Sequence, residues 1–427
     1  MDETAENSHS IAIPLLDGAN ESNELKPEGH LSTLGCTSFW KTCFHGVNSL
    51  SGVGILSVPY ALSSGGWLSL FLLLIIACST LYTGFLIQRC MDLETTIRTF
   101  PDMGQRAFGA KGRTLVSIIM NAELYLVATG FLIIEGDNLS NLFPDVGFAI
   151  GGFNIGARQS FVIMVGLIIL PTVWLNNMNI LSYVSASGVV ASVVLLCSIL
   201  WTGAFDGIGF HEKGRLVGWS GIPTAASLYA FCYCSHPVFP TLYTSMRNRR
   251  QFPKVLLLCF FFCTLTYALM AILGYLMFGS KVHSQITLDL PTNKISSKVA
   301  IYTTLVNPIA KYALMVTPIV DAIENRLLSG HKKRSDSLLI RTCLVFSTVI
   351  IAVAIPFFGQ LMSLVGAFLS ITASVILPSL CFLKISGTHQ RFNLELLIIT
   401  GIVLMGTAIM ITGTYTSLLE LIINFAM

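Results

Sequence analysis

Three ionisable side chains, Glu123, His236 and Lys311, stand inside long apolar stretches of the chain. A charge in such a setting is costly, faces the interior of a helical bundle and marks an ion or substrate path. Desolvation favours the uncharged form of a carboxyl, which gives Glu123 the property a proton carrier needs. The same carboxyl serves equally as a static, protonated hydrogen bonder. His236 belongs to the residue type that changes charge near neutral pH, and three roles stay open for it: proton carrier, substrate contact or helix cap. Thr304, Asn307 and Lys311 fall at i, i+3 and i+7, one face of a helix. Pro308 leaves the Thr304 carbonyl without its helical donor. No His-Glu-x-x-His pattern occurs, and Cys232 and Cys234 are spaced too closely for half a zinc site. The sequence therefore assigns no catalytic and no metal-ligating residue.

Glycine and proline concentrate at two places beside these groups. The first reads Asn48-Ser49-Leu50-Ser51-Gly52-Val53-Gly54-Ile55-Leu56-Ser57-Val58-Pro59-Tyr60, the second Phe231-Cys232-Tyr233-Cys234-Ser235-His236-Pro237-Val238-Phe239-Pro240. Pro59, Pro237 and Pro240 each lack an amide donor. Backbone groups freed at membrane depth persist only where protein or a wet cavity satisfies them. A half-helix starting near Ser57 presents free N–H groups suited to a carboxylate, and Gly52 and Gly54 let a ligand approach the backbone. Asn48 and Ser51 precede the first break and offer side-chain ligands. The expected substrate-binding set is Asn48, Ser51, Gly52, Gly54, Ile55, Ser57, Phe231, Ser235 and His236. The expected coupling set is Glu123, His236, Thr304, Asn307 and Lys311.

The elements that carry these residues follow from composition. Of 427 residues, 53% are hydrophobic and only 11% charged, against about 25% charged in soluble domains; the mean hydropathy is +0.73. This excludes a soluble enzyme, a nucleic-acid binder and a disordered scaffold, and the net charge of +3 is too small to imply nucleic acid. A helical span needs roughly 20 apolar residues. Such stretches occur near 38–63, 66–89, 113–136, 158–176, 180–203, 221–246, 254–278, 299–326, 338–358, 360–384 and 394–424, which predicts an all-α integral membrane protein of about eleven spans. Arg158, Lys213, Arg215, Lys281, Lys294 and Lys298 fall on one side, Lys311 inside a span, and the rest of the 25 basic residues on the other side. The positive-inside bias then places the amino terminus in the cytosol and the carboxyl terminus on the opposite side.

Grouping the spans in fives puts a broken helix at the head of each group. Five is odd, so the second group is inverted, and interrupted segments at matching places in inverted halves point to a transporter site near mid-membrane. The expected organisation is a disordered cytosolic arm over 1–35, a first five-helix repeat over 36–204 broken near 52–59, a second over 205–385 broken near 231–240, and an eleventh helix over 386–427. The arm is acidic, lacks a signal-peptide pattern and carries Leu15-Leu16 without the upstream acid of a sorting signal. Glu135 and Asp137 read as a solvated helix end or a proton antenna, and Asn138-Leu139-Ser140 is a formal glycosylation sequon. The cysteines read as apolar packers.

Several motifs together resemble the amino acid/auxin permease family. They are Gly52-Val53-Gly54-Ile55-Leu56-Ser57-Val58-Pro59-Tyr60-Ala61 with Gly65-Gly66-Trp67; Thr99-Phe100-Pro101-Asp102-Met103-Gly104; Glu123-Leu124-Tyr125; Glu135-Gly136-Asp137-Asn138-Leu139; Ser235-His236-Pro237; Phe278-Gly279; and Asn307-Pro308 with Lys311-Tyr312-Ala313. The resemblance covers about 38–427. It implies a LeuT-like 5+5 inverted repeat plus one C-terminal helix, and proton-coupled transport of neutral amino acids in the vacuolar and vesicular branch. A vacuolar membrane, exchange for protons, amino acid, proton and lipid partners, a monomer and no cofactor are expected. The run Cys234-Ser235-His236, where many relatives have Gly beside the His-Pro pair, and Val58, where Thr is frequent in that branch, depart from the pattern. Related folds hold sodium between helices 1 and 8, so Lys311 is expected to fill that cation position and remove a sodium requirement. Alternatives are a plasma-membrane amino acid or auxin importer, a channel, which would want a symmetric filter, and an intramembrane hydrolase built on Ser51 and His236, for which no orienting acid is legible.

Overall fold

The computed structural model describes residue 35 and residues 37–150, 153–175, 181–327, 334–388 and 393–426. The acidic arm and its Leu15-Leu16 pair lie outside the described residues. The chain begins with an interrupted segment, α1 (Phe39–Leu50) and α2 (Val58–Gly65), followed by α3 (Ser69–Leu93) and α4 (Phe100–Leu142). Next come α5 (Ala157–Leu175) and α6 (Leu181–Phe205), then a second interrupted segment, α7 (Ile222–Cys232) and α8 (Phe239–Ser245). The helices α9 (Phe252–Phe278), α10 (Ile295–Leu327) and α11 (Arg334–Ala354) follow. A further segment runs through α12 (Phe358–Leu364), π-helical turns at Val365–Ser370 and Thr372–Ile376, and α13 (Leu377–Ser386), and α14 (Leu394–Ala426) closes the chain. Among the described residues, nine helices are long and apolar enough to cross a membrane. With the two interrupted segments they are compatible with the eleven spans read from sequence.

One element departs from an all-α reading. Phe148–Ile150 (β1) and Phe153–Ile155 (β2) pair antiparallel, with Phe148 opposite Ile155. Aromatic and β-branched residues flank two glycines there, the composition of a hairpin. The fold is therefore nearly, not wholly, helical. The motif after α3 starts the next helix. Asp102 accepts from the Thr99 amide at 2.9 Å and Thr99 caps Asp102 in return, a capping box that starts α4. Gly109, at φ +70°, then redirects the chain into the apolar part of the helix.

Local chemistry explains both interruptions. Gly52 takes an extended conformation and Val53–Leu56 form a 3-10 turn before Pro59 enters the first turn of α2, where a missing amide costs nothing. In the second segment His236–Val238 form a 3-10 turn, with Pro237 and Pro240 again near helix starts. The two breaks touch. A Cβ built on Gly54 would stand 2.8 Å from Cys232 Sγ and 3.3 Å from its Cα, whereas a Cβ on Gly52 meets nothing within 4 Å.

The two ends of the interrupted segments are tied differently. On the near face, where α1 begins, Thr37 bridges the end of α8: its amide donates to the Ser245 carbonyl at 3.0 Å, and the Arg247 amide returns to the Thr37 carbonyl at 3.0 Å. On the far face, residues 213–218 strap the end of α2. The Trp67 and Leu68 amides donate to the Arg215 and Leu216 carbonyls at 3.1 and 3.0 Å. Arg215 Nη2 reaches the Ser63 and Ser64 carbonyls at 3.1 and 2.9 Å. The contact of the breaks predicts contrasting outcomes at two glycines. Gly54→Ala is expected to destabilise the purified protein by about 1–3 kcal/mol through overpacking, read as a lower thermal midpoint, and Gly52→Ala to leave that midpoint unchanged.

Candidate functional site

The carbonyls freed at the first break are served by side chains from distant segments. Lys311 of α10 is 4% exposed, and its Nζ donates to the carbonyls of Asn48 at 3.2 Å and Ser51 at 3.1 Å. These carbonyls end α1, where the helix dipole is negative and a cation is favoured. The Tyr267 hydroxyl of α9 donates to the Leu50 carbonyl at 2.5 Å and lies 3.2 Å from that of Cys232, so it reaches both breaks. Ser51 Oγ shares a 2.5 Å hydrogen bond with Ser192 of α6.

Beside Lys311 lies a cavity of about 20 Å³, lined by Gly52, Val53, Ile55, Ser192, Thr304 and Asn307. That volume admits a single water molecule, so the first break is closed against α6 and α10 in this conformation. Four of the residues singled out in the sequence, Gly52, Ile55, Thr304 and Asn307, meet at this cavity, and Asn48, Ser51 and Lys311 adjoin it. Asn48 and Ser51 meet Lys311 through backbone carbonyls rather than side chains, and the buried Asn48 Oδ1 has no partner. Gly54 does not face the cavity. Its open side is occupied by Cys232, which gives that glycine a packing reason in place of ligand access.

A second polar corner forms behind the other break. Glu123 of α4 is 4% exposed and accepts from Ser370 Oγ at 2.6 Å, with Cys234 beside it. Ser370 belongs to a π-helical turn, a feature frequent at functional sites. His236 is fully buried, its Nε2 2.9 Å from the Thr80 carbonyl and 3.0 Å from Thr83 Oγ1 on α3. A carbonyl only accepts, so Nε2 carries the proton, while Nδ1 has no partner. Thr83 in turn donates to the Ser374 carbonyl at 2.6 Å, the acceptor that Pro378 leaves vacant four residues later. Ser235 is 3% exposed at the break, Phe231 packs at Gly366, and Ser57 is fully buried with its hydroxyl unpartnered.

These interrupted segments, with a buried cation on one and a buried acid behind the other, sit in a chain with close relatives. Residues 35–419 match the family described as transmembrane amino acid transporter protein. The chain is 60% identical over 393 residues to amino acid transporter AVT1J of Arabidopsis thaliana, covering 92% of this chain and 93% of that protein. It is 56% identical over 390 residues to amino acid transporter AVT1I of the same plant, covering 91% and 96%. The chain belongs to the transmembrane amino acid transporter family. It is a multi-pass integral membrane protein and not an enzyme. Among solved structures, a Na+-coupled sialic acid symporter superposes with a TM-score of 0.53 at 11% identity, over 90% of each chain. MhsT in complex with L-phenylalanine gives 0.53 at 12% identity, over 92% of this chain and 99% of that one. These likenesses show a LeuT-like fold.

For this transporter, the sequence reading missed the residues that complete each corner. Tyr267, Ser192, Thr80, Thr83 and Ser370 are ordinary span residues until the fold brings them to the Leu50 carbonyl, the Ser51 hydroxyl, the His236 ring, the Ser374 carbonyl and the Glu123 carboxyl. Gly188 is another. It lies on α6 where a Cβ would overlap Asn48 Oδ1 and stand 3.3 Å from Lys311 Cε. The signal available was a run of small residues, Ser185, Ser187, Gly188 and Ser192, in one span. The expectation of a solvated helix end at Glu135 and Asp137 is corrected. Glu135 is 1% exposed, and Asp137 pairs with Arg158 at 2.5 Å. Asn138 of the sequon is fully buried, donating to the Ile134 carbonyl at 2.9 Å, which closes it to a glycan in this fold. Gly188→Leu is expected to displace Asn48 and Lys311 and reduce amino acid uptake at least tenfold, with the protein still recovered in the membrane fraction. Uptake assays normalised to membrane protein check this.

Proposed function

We propose that this transporter moves neutral amino acids across the vacuolar membrane in exchange for protons, by alternating access, with its amino terminus in the cytosol and its carboxyl terminus in the lumen. It works as a monomer and without sodium. The observation that carries the reading is the Lys311 ammonium seated on the Asn48 and Ser51 carbonyls. Carbonyls at the end of a half-helix are where transporters of this architecture hold a coupling cation, and here a fixed cation occupies them. Glu123, buried against Ser370 beside the second break, supports a proton as the coupling ion, because a carboxyl can change charge where an apolar side chain cannot.

The substrate reading draws on the same segments. Gly52, Ile55 and Ser57 at the first break, with Phe231 and Ser235 at the second, surround the place where the two half-helix pairs touch. A zwitterion there would present its carboxylate to amides near Ser57 and its side chain to Ile55 and Phe231. The closed packing requires the interrupted segments to separate before an amino acid enters. The near-face bridge at Thr37 and the far-face strap at Arg215 are the contacts such a motion would open in turn. The vacuolar destination rests on the motif resemblance to that branch of the family.

Proteoliposomes holding the full chain test the reading. Labelled neutral amino acids are expected to accumulate when the interior is acidic, to be competed by unlabelled ones, and to do so equally in sodium and potassium buffers. Accumulation indifferent to the pH gradient would falsify proton coupling. Lys311→Ala is expected to abolish sodium-independent transport, since two buried carbonyls lose their donor at about 1–3 kcal/mol each. A fully active, sodium-independent Lys311→Ala would sink the assigned role of the lysine.

A further inference from the structure

The far end of α4 holds a buried acid that the two corners above do not use. Glu135 is 1% exposed, and neither of its carboxylate oxygens has a hydrogen-bond partner. It lies twelve residues beyond Glu123 on one continuous helix, about 18 Å along the axis at 1.5 Å per residue. A polar path leads toward it from the far face. Arg158 of α5 pairs with Asp137 at 2.5 Å. Asp137 accepts from Gln285 Nε2 at 2.6 Å, and Gln285 Oε1 accepts from Asn138 Nδ2 at 3.2 Å. Gln285 and Asn138 are both fully buried, and Asn138 is one turn from Glu135.

Other polar atoms on α4 and the elements packed on it are not paired either. Asn138 Oδ1, Thr287 Oγ1 and Ser297 Oγ are buried without partners. Buried polar atoms are normally satisfied, so the orphans at Glu135 and Asn138 of α4, where Asn138 meets Gln285 of the turn, mark a place built to take up water or protons. The charged groups on the packed elements are Arg158 from α5, His283 and Asp289 from the turn, and Lys294 and Lys298 at the start of α10. α12 and the far half of α11 supply none. His283 is exposed and bonds Asp289. Burial pushes the Asp289 carboxyl above the ordinary carboxylate value, against the opposing pull of His283.

We infer that Glu135 is a second proton-binding site, loaded from the far face through Asp137, Gln285 and Asn138, whose proton release is tied to a rearrangement of α4 against α5 and the 285–289 turn. The inference rests on the proton-coupled reading above and adds where the proton is taken up. A lone carboxylate cannot stand in the packing seen here, because an unpaired buried charge is prohibitively costly. Glu135 therefore carries its proton in this conformation. To lose it, the carboxylate must gain a partner, and Arg158, now on Asp137, is the cation of the same polar path. The proton leaves as hydronium or to a buffer base, and no other bond changes.

The test uses the full chain in proteoliposomes, with wild type, Glu135→Gln and Gln285→Leu compared in two modes. One mode is amino acid counterflow at equal pH, and the other is accumulation driven by a pH gradient. Glu135→Gln is expected to keep counterflow within twofold and lose gradient-driven accumulation at least tenfold. Gln285→Leu, which leaves the carboxyl in place, is expected to shift the far-side pH at which accumulation is half-maximal. Difference infrared spectra between wild type and Glu135→Gln are expected to lose a protonated-carboxyl band. Wild-type accumulation without a pH response rejects proton coupling itself, and the infrared band then decides the Glu135 site independently. Full gradient-driven accumulation in Glu135→Gln, an equal loss in both modes, or no missing carboxyl band each overturns the inference. Should Glu135→Gln fail to fold, an unshifted pH profile in Gln285→Leu does so.

Discussion

A backbone amide or carbonyl inside a bilayer must be hydrogen-bonded, because no water is there to replace a missing partner. This transporter interrupts two helices at membrane depth and meets that demand with side chains from other segments. Lys311 serves Asn48 and Ser51, and Tyr267 serves Leu50 and reaches Cys232, while His236 of the second break is held on the Thr80 carbonyl of the unbroken α3 and Thr83 serves Ser374 of the π-helical segment. Each such bond joins two segments that are far apart in sequence. The polar network that keeps the breaks tolerable is thus also what positions the interrupted segments against the rest of the bundle.

That shared network links structure to transport. In the proposed cycle, a substrate entering at the breaks separates α1 and α2 from α6 and α10, or α7 and α8 from α3 and α4. Either motion takes a buried polar group from one partner to another. Where the group is a fixed cation on carbonyls, as at Lys311, the proposed exchange uses no dissolved ion. Where it is a carboxyl, as at Glu123 beside Ser370, the proposed exchange is with a proton. Small residues make these contacts possible: Gly188 gives room to Asn48 and Lys311, and Gly366 to Phe231.

Much of the fold is legible in the chain itself. Long apolar stretches mark the spans, because each must cover the hydrocarbon with apolar surface along its own length. Gly52, Pro59, Pro237 and Pro240 mark the interruptions, because their backbone chemistry acts locally. The family is likewise written in contiguous motifs such as Ser235-His236-Pro237. The hairpin at 148–155 escaped because its alternating pattern is only three residues long on each side.

The sequence by itself determined which residues are chemically unusual: a lysine, a histidine and acids in apolar surroundings, and helices that cannot run unbroken. What only the tertiary structure decided is which partner each of them meets. Lys311 and the Asn48 carbonyl are 263 residues apart, and Ser370 and Glu123 are 247 apart. Nothing local records such a pairing, because it follows from how whole helices pack. The same holds for Gly54, whose glycine could have served a ligand and instead admits Cys232. It holds for Glu135, which reads as a solvated helix end but is buried at 1% exposure.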